Sequence, residues 1–241
     1  MPEIDVLIHT GDLTNFGELK SLEESVRMIG TISAELKLVI AGNHDIPLDK
    51  TNRVENMTDE EYSKYHASAM EIMTGPMANG STFSVYASPY TIGSGGWAFP
   101  YKSNEDRFND ANQTAANKVS VSENPIPLGV HIVMTHGPPY SILDQVDGQN
   151  LGCPSLLRAV GRVRPLMHCF GHIHEGHGAN IVTWKPDGKT EQINEYPYAN
   201  EWPVQPGKQT LMVNAAIMRN TARGMRPDYK PFIVSLDLPH L

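Results

Sequence analysis

The sequence has few of the features that mark disulfide-rich, membrane-spanning or secreted proteins. Only two of its 241 residues are cysteines, Cys153 and Cys169, which is too few for a disulfide framework and favours a reducing compartment. No stretch reaches the roughly 20 apolar residues of a membrane span. The amino-terminal segment MPEIDVLIHTGD lacks the basic start and long apolar core of a signal peptide. We therefore expect a cytoplasmic protein with no membrane partner.

Positive charge is also scarce. The chain has 19 Lys and Arg residues against 27 Asp and Glu residues, which gives a net charge of -8. An extended nucleic-acid-binding surface needs clustered Lys and Arg, so we expect none. A small anionic substrate remains possible where a local cation offsets the overall field. The length suits one large domain or two small ones and is enough for a real core, and no linker is evident, so we expect a single domain over residues 1–241.

The order of apolar segments predicts an α/β fold. IDVLIH at residues 4–9 predicts a buried strand, GELKSLEESVRMIGTISAEL an amphipathic helix, and KLVIAGN a second strand. Strand, helix and strand at this spacing form a βαβ unit with parallel strands. Further helices are predicted for DEEYSKYHASAMEIM and SLLRAVGRVR. The remaining predicted strands are TFSVYAS, GVHIVMTHG, PLMHCFGH, GANIVTW, TLMVNAA and PFIVSLDL.

Side chains of the types that commonly bind metals follow four of these strands, which end in HTGD, AGNHD, MTHG and FGHIH. Ligands of open α/β sheets collect at the carboxyl ends of strands, so these side chains are expected to face one crevice. They are Asp12, Asn43, His44, Asp45, His136, His172 and His174. Carboxylate, amide and imidazole donors suit Zn, Mn or Fe. Gly, Asn and Asp are also ordinary turn residues, which explains any one of these segments but not four of them together.

The segments GDLT, GNHD, THGPP and GHIHEGHG, in this order and spacing, resemble motifs of the calcineurin-like metallophosphoesterases. Longer stretches such as DVLIHTGDLT and RPLMHCFGHIHEG are similar to the small metallophosphoesterase-domain (MPPED-type) members. The resemblance implies a four-layer α/β/β/α sandwich and a phosphoesterase. It further implies two divalent transition metals, Mn, Fe, Zn or Co, which activate a hydroxide for in-line attack. The implied substrate is a small phosphodiester or nucleotide-like phosphate ester.

Site roles follow from the same resemblance, position by position. Asp12 would bridge both metals, and His174 would belong to the first metal site. The second site would be completed by Asn43, His136 and His172. His44 would protonate the leaving alkoxide or position the phosphate, and Asp45 would orient the His44 ring. His177 matches no ligand position.

The sequence departs from the family at its start, because the family opens with a strand ending in Asp-x-His and both residues bind the first metal. No such motif precedes Asp12, so we expect a depleted first site, an intact second site and a missing first strand. A truncated form of a longer enzyme is the favoured explanation, and a natural short form with one weakly bound metal is the other. His9 is a conceivable replacement ligand. The missing strand would leave an apolar edge through which the chain could self-associate.

Two functions therefore compete, with a third in reserve. The first is a metal-dependent phosphoesterase weakened at its first site. The second is a one-metal protein that binds a nucleotide or phosphate without useful turnover, and the third is an inert scaffold. Smaller expectations concern individual side chains. Tyr140 stacks on a substrate ring or packs its own loop, and Trp97 and Phe99 wall a cleft or anchor their loop. Asp144 caps or braces a loop. The default for Arg158, Arg162 and Arg164 is a solvated helix face, with phosphate binding as the alternative.

Overall fold

The computed structural model describes residues 4–52, 54, 56–73, 83–93, 95–195, 203–221 and 224–238. Thr82, the first residue of the predicted strand TFSVYAS, lies outside these ranges. In chain order the described helices α1 to α3 are Leu19–Gly30, Asp59–Met73 and Pro154–Val163. The described strands β1 to β16 are Ile4–His9, Ala34–Val39, Val85–Ser88, Thr91–Ile92, Pro100–Tyr101, Glu105–Asp106, Val119–Ser120, Ile132–Thr135, Gln145–Val146, Gln149–Asn150, Met167–Phe170, Gly178–Trp184, Thr190–Glu195, Gln209–Asn214, Met218–Thr221 and Gly224–Pro227.

The predicted α/β class is confirmed, and the chain forms two compact units. The amino-terminal unit comprises residues 1–81 and 89–102, and the carboxy-terminal unit comprises residues 82–88 and 103–241. None of the helices in the described part of the chain is long and apolar enough to cross a membrane.

The amino-terminal unit contains the predicted βαβ arrangement. Strands β1 and β2 pair in parallel, from Ile4 opposite Ala34 to His9 opposite Val39. The predicted helix between them was too long, since α1 ends at Gly30 and Leu36 lies in β2 opposite Val6. The Gly-Thr-Ile-Ser run at the end of the helix combines glycine with β-branched residues, which disfavour helix. The residues that follow pair with β1 as the parallel strand β2.

Helices α1 and α2 share an apolar core with both strands. Leu22 and Ile29 of α1 are buried with Leu13 and with Ala69 of α2. The partly buried side chains around them are Leu7, Leu19, Val26, Val39, Leu48, Ile72 and Met73. The 3.6-residue spacing of the apolar positions in α1 turns one face of the helix onto this core. Burial of these side chains stabilises the unit by about 25 cal/mol per Å² of apolar surface removed from water, and is the main source of its stability.

A six-stranded sheet forms the centre of the carboxy-terminal unit. Its strand order is β13-β12-β14-β11-β8-β3. Strands β3, β8, β11 and β14 are parallel to their neighbours in this group. Strand β12 runs antiparallel to both β13 and β14. The carboxyl ends of β8 and β11, which carry predicted motifs, therefore lie side by side at one edge of the sheet.

The predicted strand PFIVSLDL is wrong, because residues 231–238 form no strand. Exposed and half-buried residues alternate along this segment, and Ile233 is 67% exposed. Alternation is the signature of a strand, but a strand also needs a partner ladder, and a sequence pattern does not reveal whether one is available.

Helix α3 was predicted to expose a solvated arginine face, and this prediction is also wrong. The Arg158 guanidinium lies 2.5 Å from Oδ2 of Asp106, whose side chain is fully buried. Arg162 donates to the carbonyl of Ile126 at 2.8 Å. Arg164, the left-handed residue that ends the helix, donates to backbone carbonyls of two other segments. Each arginine therefore fixes a neighbouring loop to the helix.

Candidate metal centre

The turn after β1 places a carboxylate at the carboxyl end of that strand. Gly11 has φ +106° and Asp12 has φ +58°, so a residue with a Cβ occupies the left-handed region. Asp tolerates this region better than most residues, and such backbone is concentrated at functional sites. Oδ1 of Asp12 accepts a hydrogen bond from the backbone N–H of His44 at 3.2 Å. The first two predicted motifs are thereby joined.

Asp45 is a fully buried carboxylate that holds these two turns together. Its Oδ2 accepts backbone N–H groups of Gly42 at 2.8 Å and Leu13 at 3.1 Å. Its Oδ1 accepts the backbone N–H and the hydroxyl of Thr14 at 2.9 and 3.0 Å. Burial raises the pKa of Asp45, the backbone N–H groups of Gly42 and Leu13 oppose that shift, and the nearby Asp12 carboxylate adds to it.

His44 is half-buried, and its ring is oriented by the main chain. Its Nδ1 lies 2.6 Å from the carbonyl oxygen of Asn15. A carbonyl only accepts, so Nδ1 carries a proton and Nε2 is the nitrogen left to give or take one. The prediction that Asp45 orients this ring is therefore wrong, because the hydrogen bonds of the Asp45 carboxylate go to other groups. The carbonyl of Asn15 left no signal in the sequence, since every residue has one.

Asn43 is buried between these groups. Its backbone oxygen accepts the N–H of Ala98 at 2.9 Å. The amino-terminal unit thus gathers a carboxylate, an amide and an imidazole around two linked turns. The predicted residues that it brings together are Asp12, Asn43, His44 and Asp45.

The carboxy-terminal unit brings His136 and His172 together. His136 follows β8 and is 1% exposed, and its backbone N–H donates to the carbonyl of Ser88 at 3.0 Å. The backbone oxygen of His136 accepts the N–H of Gly171 at 2.9 Å. The His172 ring lies edge-to-face against the His136 ring with centroids 5.1 Å apart, and His172 has φ +67°. Two imidazoles from neighbouring parallel strands are therefore presented side by side.

A buried histidine that the sequence did not single out supports this pair. His168 and Thr135 are both fully buried. The Thr135 hydroxyl donates to the carbonyl of Gly137 at 2.7 Å, so it accepts from Nε2–H of His168 at 2.9 Å. Burial lowers the pKa of His168 to about 3. A histidine inside the apolar run PLMHCF gave no sign of this role, because its partner is 33 residues away.

The turn that carries His172 continues into a short 3-10 helix, His174–Gly176, so His174 lies half-buried at its start. Fully buried Asn214 holds this turn, since its Nδ2 donates to the carbonyls of Ile173 at 2.8 Å and Leu143 at 2.9 Å. A Cβ at Gly176 would lie 1.9 Å from the backbone oxygen of Leu143. The close approach of these two backbone segments therefore requires glycine at this position.

His177 points into a different environment. Its ring stacks against Tyr229 at 4.3 Å and Phe232 at 4.8 Å, and its Nε2 lies 3.2 Å from the carbonyl of Lys230. Burial lowers the pKa of His177, and the bond to Lys230 opposes that shift. The aromatic contacts give His177 a packing role at the end of the turn.

The loop after His136 is braced as the sequence predicted. Oδ2 of Asp144 accepts the backbone N–H groups of Ser141 at 3.0 Å and Gly152 at 2.8 Å. Both cysteines are buried thiols outside any disulfide, and burial raises the pKa of Cys169 to about 12. A thiol held in this form is a packing group and is unsuited to bind a metal.

The donor chemistry of both groups fits a divalent transition metal. One unit presents a carboxylate and an amide at linked turns, and the other presents two imidazoles in edge-to-face contact. Carboxylate and imidazole together are typical of Zn, Mn, Fe and Co sites. Asp12 in one unit and His172 in the other have left-handed backbone. This conformation is unfavourable for residues with a side chain and is concentrated at functional sites.

Comparison with known proteins gives matches over most of the chain. The family model described as calcineurin-like phosphoesterase matches residues 1–176. The human protein named Metallophosphoesterase domain-containing protein 1 is 33% identical over 225 residues, which is 86% of this chain and 64% of that protein.

Two further relatives come from a fungus and a nematode. Probable rhamnogalacturonate lyase C of Emericella nidulans is 31% identical over 237 residues, or 90% of this chain and 21% of that protein. A UPF0046 protein of Caenorhabditis elegans is 31% identical over 186 residues, or 74% of this chain and 59% of that protein. The chain thus spans less than two thirds of the length of each of these three relatives.

Proposed function

Since the chain belongs to the calcineurin-like phosphoesterase family, we propose that it is a metal-dependent phosphoesterase. The observation that carries this proposal is the His136 and His172 pair at the ends of two adjacent parallel strands. A pair of imidazoles of which His136 is buried and His172 half-buried has the donor type that a transition metal needs. The proposed reaction is hydrolysis of a small phosphodiester or nucleotide-like phosphate ester.

The proposed metal ligands are the residues that the family motifs assign. Asn43, His136 and His172, together with Asp12, would hold the second metal. Asp12 and His174 are the ligands that this chain offers to the first site. A bound divalent metal supplies Lewis acidity toward the phosphoryl oxygens and makes water a better nucleophile. Mn is the preferred metal to test.

His44 is proposed to act on the leaving group. Its Nδ1–H is committed to the carbonyl of Asn15, so the ring would donate to the leaving oxygen from Nε2 when both nitrogens carry a proton, and would return to the neutral form with its proton on Nδ1. The short bond to Asn15 fixes the ring and reduces the entropy lost when it engages a substrate. Asp45 contributes indirectly, because its four hydrogen bonds set the backbone that carries His44.

The second candidate is a one-metal protein that binds a nucleotide or phosphate without turnover. It would apply if the first site holds no metal, since the family motifs within these residues assign only Asp12 and His174 to that site. The two candidates share the second site and differ in whether a second metal binds.

Metal content and turnover measured together separate the candidates. The protein is purified without chelator, loaded with Mn²⁺, washed, and analysed by inductively coupled plasma mass spectrometry. Turnover of bis(p-nitrophenyl) phosphate is then followed in the same samples. We expect activity that depends on added Mn²⁺ or Co²⁺ and is lost in Asn43→Ala and His136→Ala. His131→Gln, which changes a partly exposed histidine bonded to Ser84, is the matched control.

Each result has a distinct meaning. Close to two metals per chain with turnover supports the phosphoesterase and points to a replacement ligand such as His9. One metal with nucleotide binding and no turnover supports the second candidate. Turnover that persists in both variants would contradict the proposed ligand set.

Three expectations from the sequence stay predictions. They are the single domain over residues 1–241, the cytoplasmic location and self-association through the edge of β1. The last is measured by light scattering during size-exclusion chromatography across a tenfold range of protein concentration.

A further inference from the structure

Trp97 lies against the residue proposed to act on the leaving group. The centroids of its ring and the His44 ring are 4.3 Å apart, with the planes inclined by 56°. Trp97 nevertheless remains 39% exposed. A large aromatic surface is therefore open to solvent directly beside His44.

Three hydrogen bonds fix the segment that carries this indole. The backbone N–H of Ala98 donates to the carbonyl of Asn43 at 2.9 Å, and Nδ2 of Asn52 donates to the carbonyl of Trp97 at 3.0 Å. The backbone N–H of Phe99 donates to Oδ2 of Asp49 at 2.7 Å. The segment is thus tied to the same stretch of chain that holds Asn43 and His44. An aromatic ring already fixed in position loses little entropy when a ligand stacks on it.

The anchoring of this segment is achieved by its other residues. Ala98 is fully buried, and Phe99 packs edge-to-face against Tyr90 at 5.7 Å. Phe99 is held with φ +53°, a conformation that non-glycine residues adopt rarely. Of the two aromatic residues considered from the sequence, Phe99 is therefore the anchor. Trp97 is the one with ring surface left for a ligand.

We propose that Trp97 selects phosphate esters whose leaving group carries an aromatic ring, such as a nucleobase, by stacking on that ring. The proposal rests on the phosphoesterase function above. His44 is proposed there to protonate the leaving oxygen, so a ring on the leaving group is the part of the substrate near Trp97. Stacking of a base on an aromatic side chain is favourable for every base, since each has a π-face. Trp97 thus confers a preference for a ring without specifying which ring.

Equilibrium binding tests this preference independently of turnover. 5′-AMP and ribose 5-phosphate share the sugar phosphate and differ by the adenine ring. Isothermal titration of the metal-loaded 241-residue protein is expected to give an affinity for AMP that is at least roughly tenfold higher, the scale of base stacking on an aromatic side chain. Trp97→Ala should remove most of that ratio, and Trp97→Phe should retain a large part of it.

A rival residue provides the control. Tyr140 has the same exposed fraction as Trp97, 39%, and was the other aromatic residue considered for stacking on a substrate ring. Tyr140→Ala is expected to keep the ratio of the two affinities. If the ratio is lost in Tyr140→Ala and kept in Trp97→Ala, Tyr140 is the residue that stacks on the ring and the proposal is overturned.

The remaining outcomes are equally decisive. If Trp97→Ala weakens both ligands by the same factor, Trp97 only positions His44 and the proposal fails. It also fails if the unmodified protein binds both ligands equally or binds neither. A ratio that depends on Trp97 in a protein without turnover would support the proposal while contradicting the phosphoesterase function. In active protein, Trp97→Ala should raise KM for the hydrolysis of 5′-AMP, in which adenosine is the leaving group, and leave kcat within about twofold.

Discussion

Nε2 of His168 lies 2.9 Å from Oγ1 of Thr135, the residue immediately before the proposed ligand His136. The Nδ1 atom of the same ring is buried without a hydrogen-bond partner among the described residues. A neutral ring satisfies Thr135 through Nε2–H and leaves only a lone pair unpaired at Nδ1. A protonated ring would bury an unpaired N–H and a charge, which is why burial lowers the pKa of His168 to about 3.

This histidine should make the stability of the protein depend on pH. Below its ordinary pKa of about 6.5, the unfolded chain takes up a proton that the folded chain refuses until about pH 3. The contribution of His168 to the free energy of unfolding is therefore fully present above pH 6.5. It is lost by up to about 1.4 kcal/mol per pH unit as the pH falls toward 3. Urea unfolding of metal-free protein at pH 7 and 5.5 should show a smaller loss in His168→Phe than in the unmodified protein.

The comparison between pH values is needed because His168→Phe also removes the bond to Thr135. That loss is the same at both pH values and cancels in the difference. His131→Gln serves as the control, since this histidine lies near the surface with its Nδ1 on the N–H of Ser84. An equal loss of stability in the unmodified protein and His168→Phe would refute the assignment.

His44→Gln should reveal whether this residue protonates the leaving group. A poor leaving group needs the proton, whereas p-nitrophenolate departs without it. We expect kcat to fall by about 10²–10⁴-fold for an alkyl phosphodiester and far less for bis(p-nitrophenyl) phosphate. An equal fall for both substrates would instead assign His44 to positioning the phosphate.

Asp45→Asn should loosen the backbone of both turns in the amino-terminal unit. The carboxylate accepts four hydrogen bonds, and an amide group would set its own N–H donors against some of those donors. The free energy of unfolding should drop by roughly 1–3 kcal/mol, with weaker Mn²⁺ binding measured by titration calorimetry. Asp187→Asn at an exposed turn is the control, and equal metal affinity in the two variants would disprove the link.

Gly176→Ala should disrupt the turn that carries His172 and His174. The added methyl group would meet the backbone oxygen of Leu143 at 1.9 Å, and backbone cannot yield cheaply. We expect loss of metal binding, together with a fall in melting temperature. Gly30→Ala at the end of α1 meets nothing within 4 Å and should leave the melting temperature unchanged or slightly higher, because alanine favours helix. Similar behaviour of the two variants would argue against a tight turn.

Arg158→Ala should be costly although the residue is on a helix surface. Its partner Asp106 is fully buried, so the variant removes the guanidinium that pairs with this buried carboxylate. A loss of about 3 kcal/mol is expected, measured by urea unfolding. The exposed ion pair of Lys64 and Glu60 on α2 offers a comparison, since Lys64→Ala should cost less than about 1 kcal/mol. Equal costs would show that burial of Asp106 contributes nothing.

Local pattern was enough for most of the secondary structure. The predicted segments IDVLIH, DEEYSKYHASAMEIM and GANIVTW coincide with β1, α2 and β12, because apolar periodicity and the adjoining turn residues act within a few positions. The family motifs likewise lie in contiguous residues, so the sequence alone identifies the candidate ligands.

Apart from the overlong first helix, the wrong predictions depend on partners distant in sequence. The strand assigned to residues 231–238 lacks a partner ladder, and the three arginines of α3 find acceptors that their own spacing does not announce. Asn15 rather than Asp45 holds the His44 ring through a carbonyl that every residue possesses.

The sequence by itself determined the α/β class, the three helices, seven of the sixteen described strands and the candidate ligands, since these follow from short-range periodicity and contiguous motifs. Only the tertiary structure decided what supports those ligands. The bond between His168 and Thr135, the hold of Asn214 on its turn and the place of Trp97 beside His44 each join residues more than 30 positions apart. Such contacts arise when packing brings distant segments together, and no local pattern encodes them.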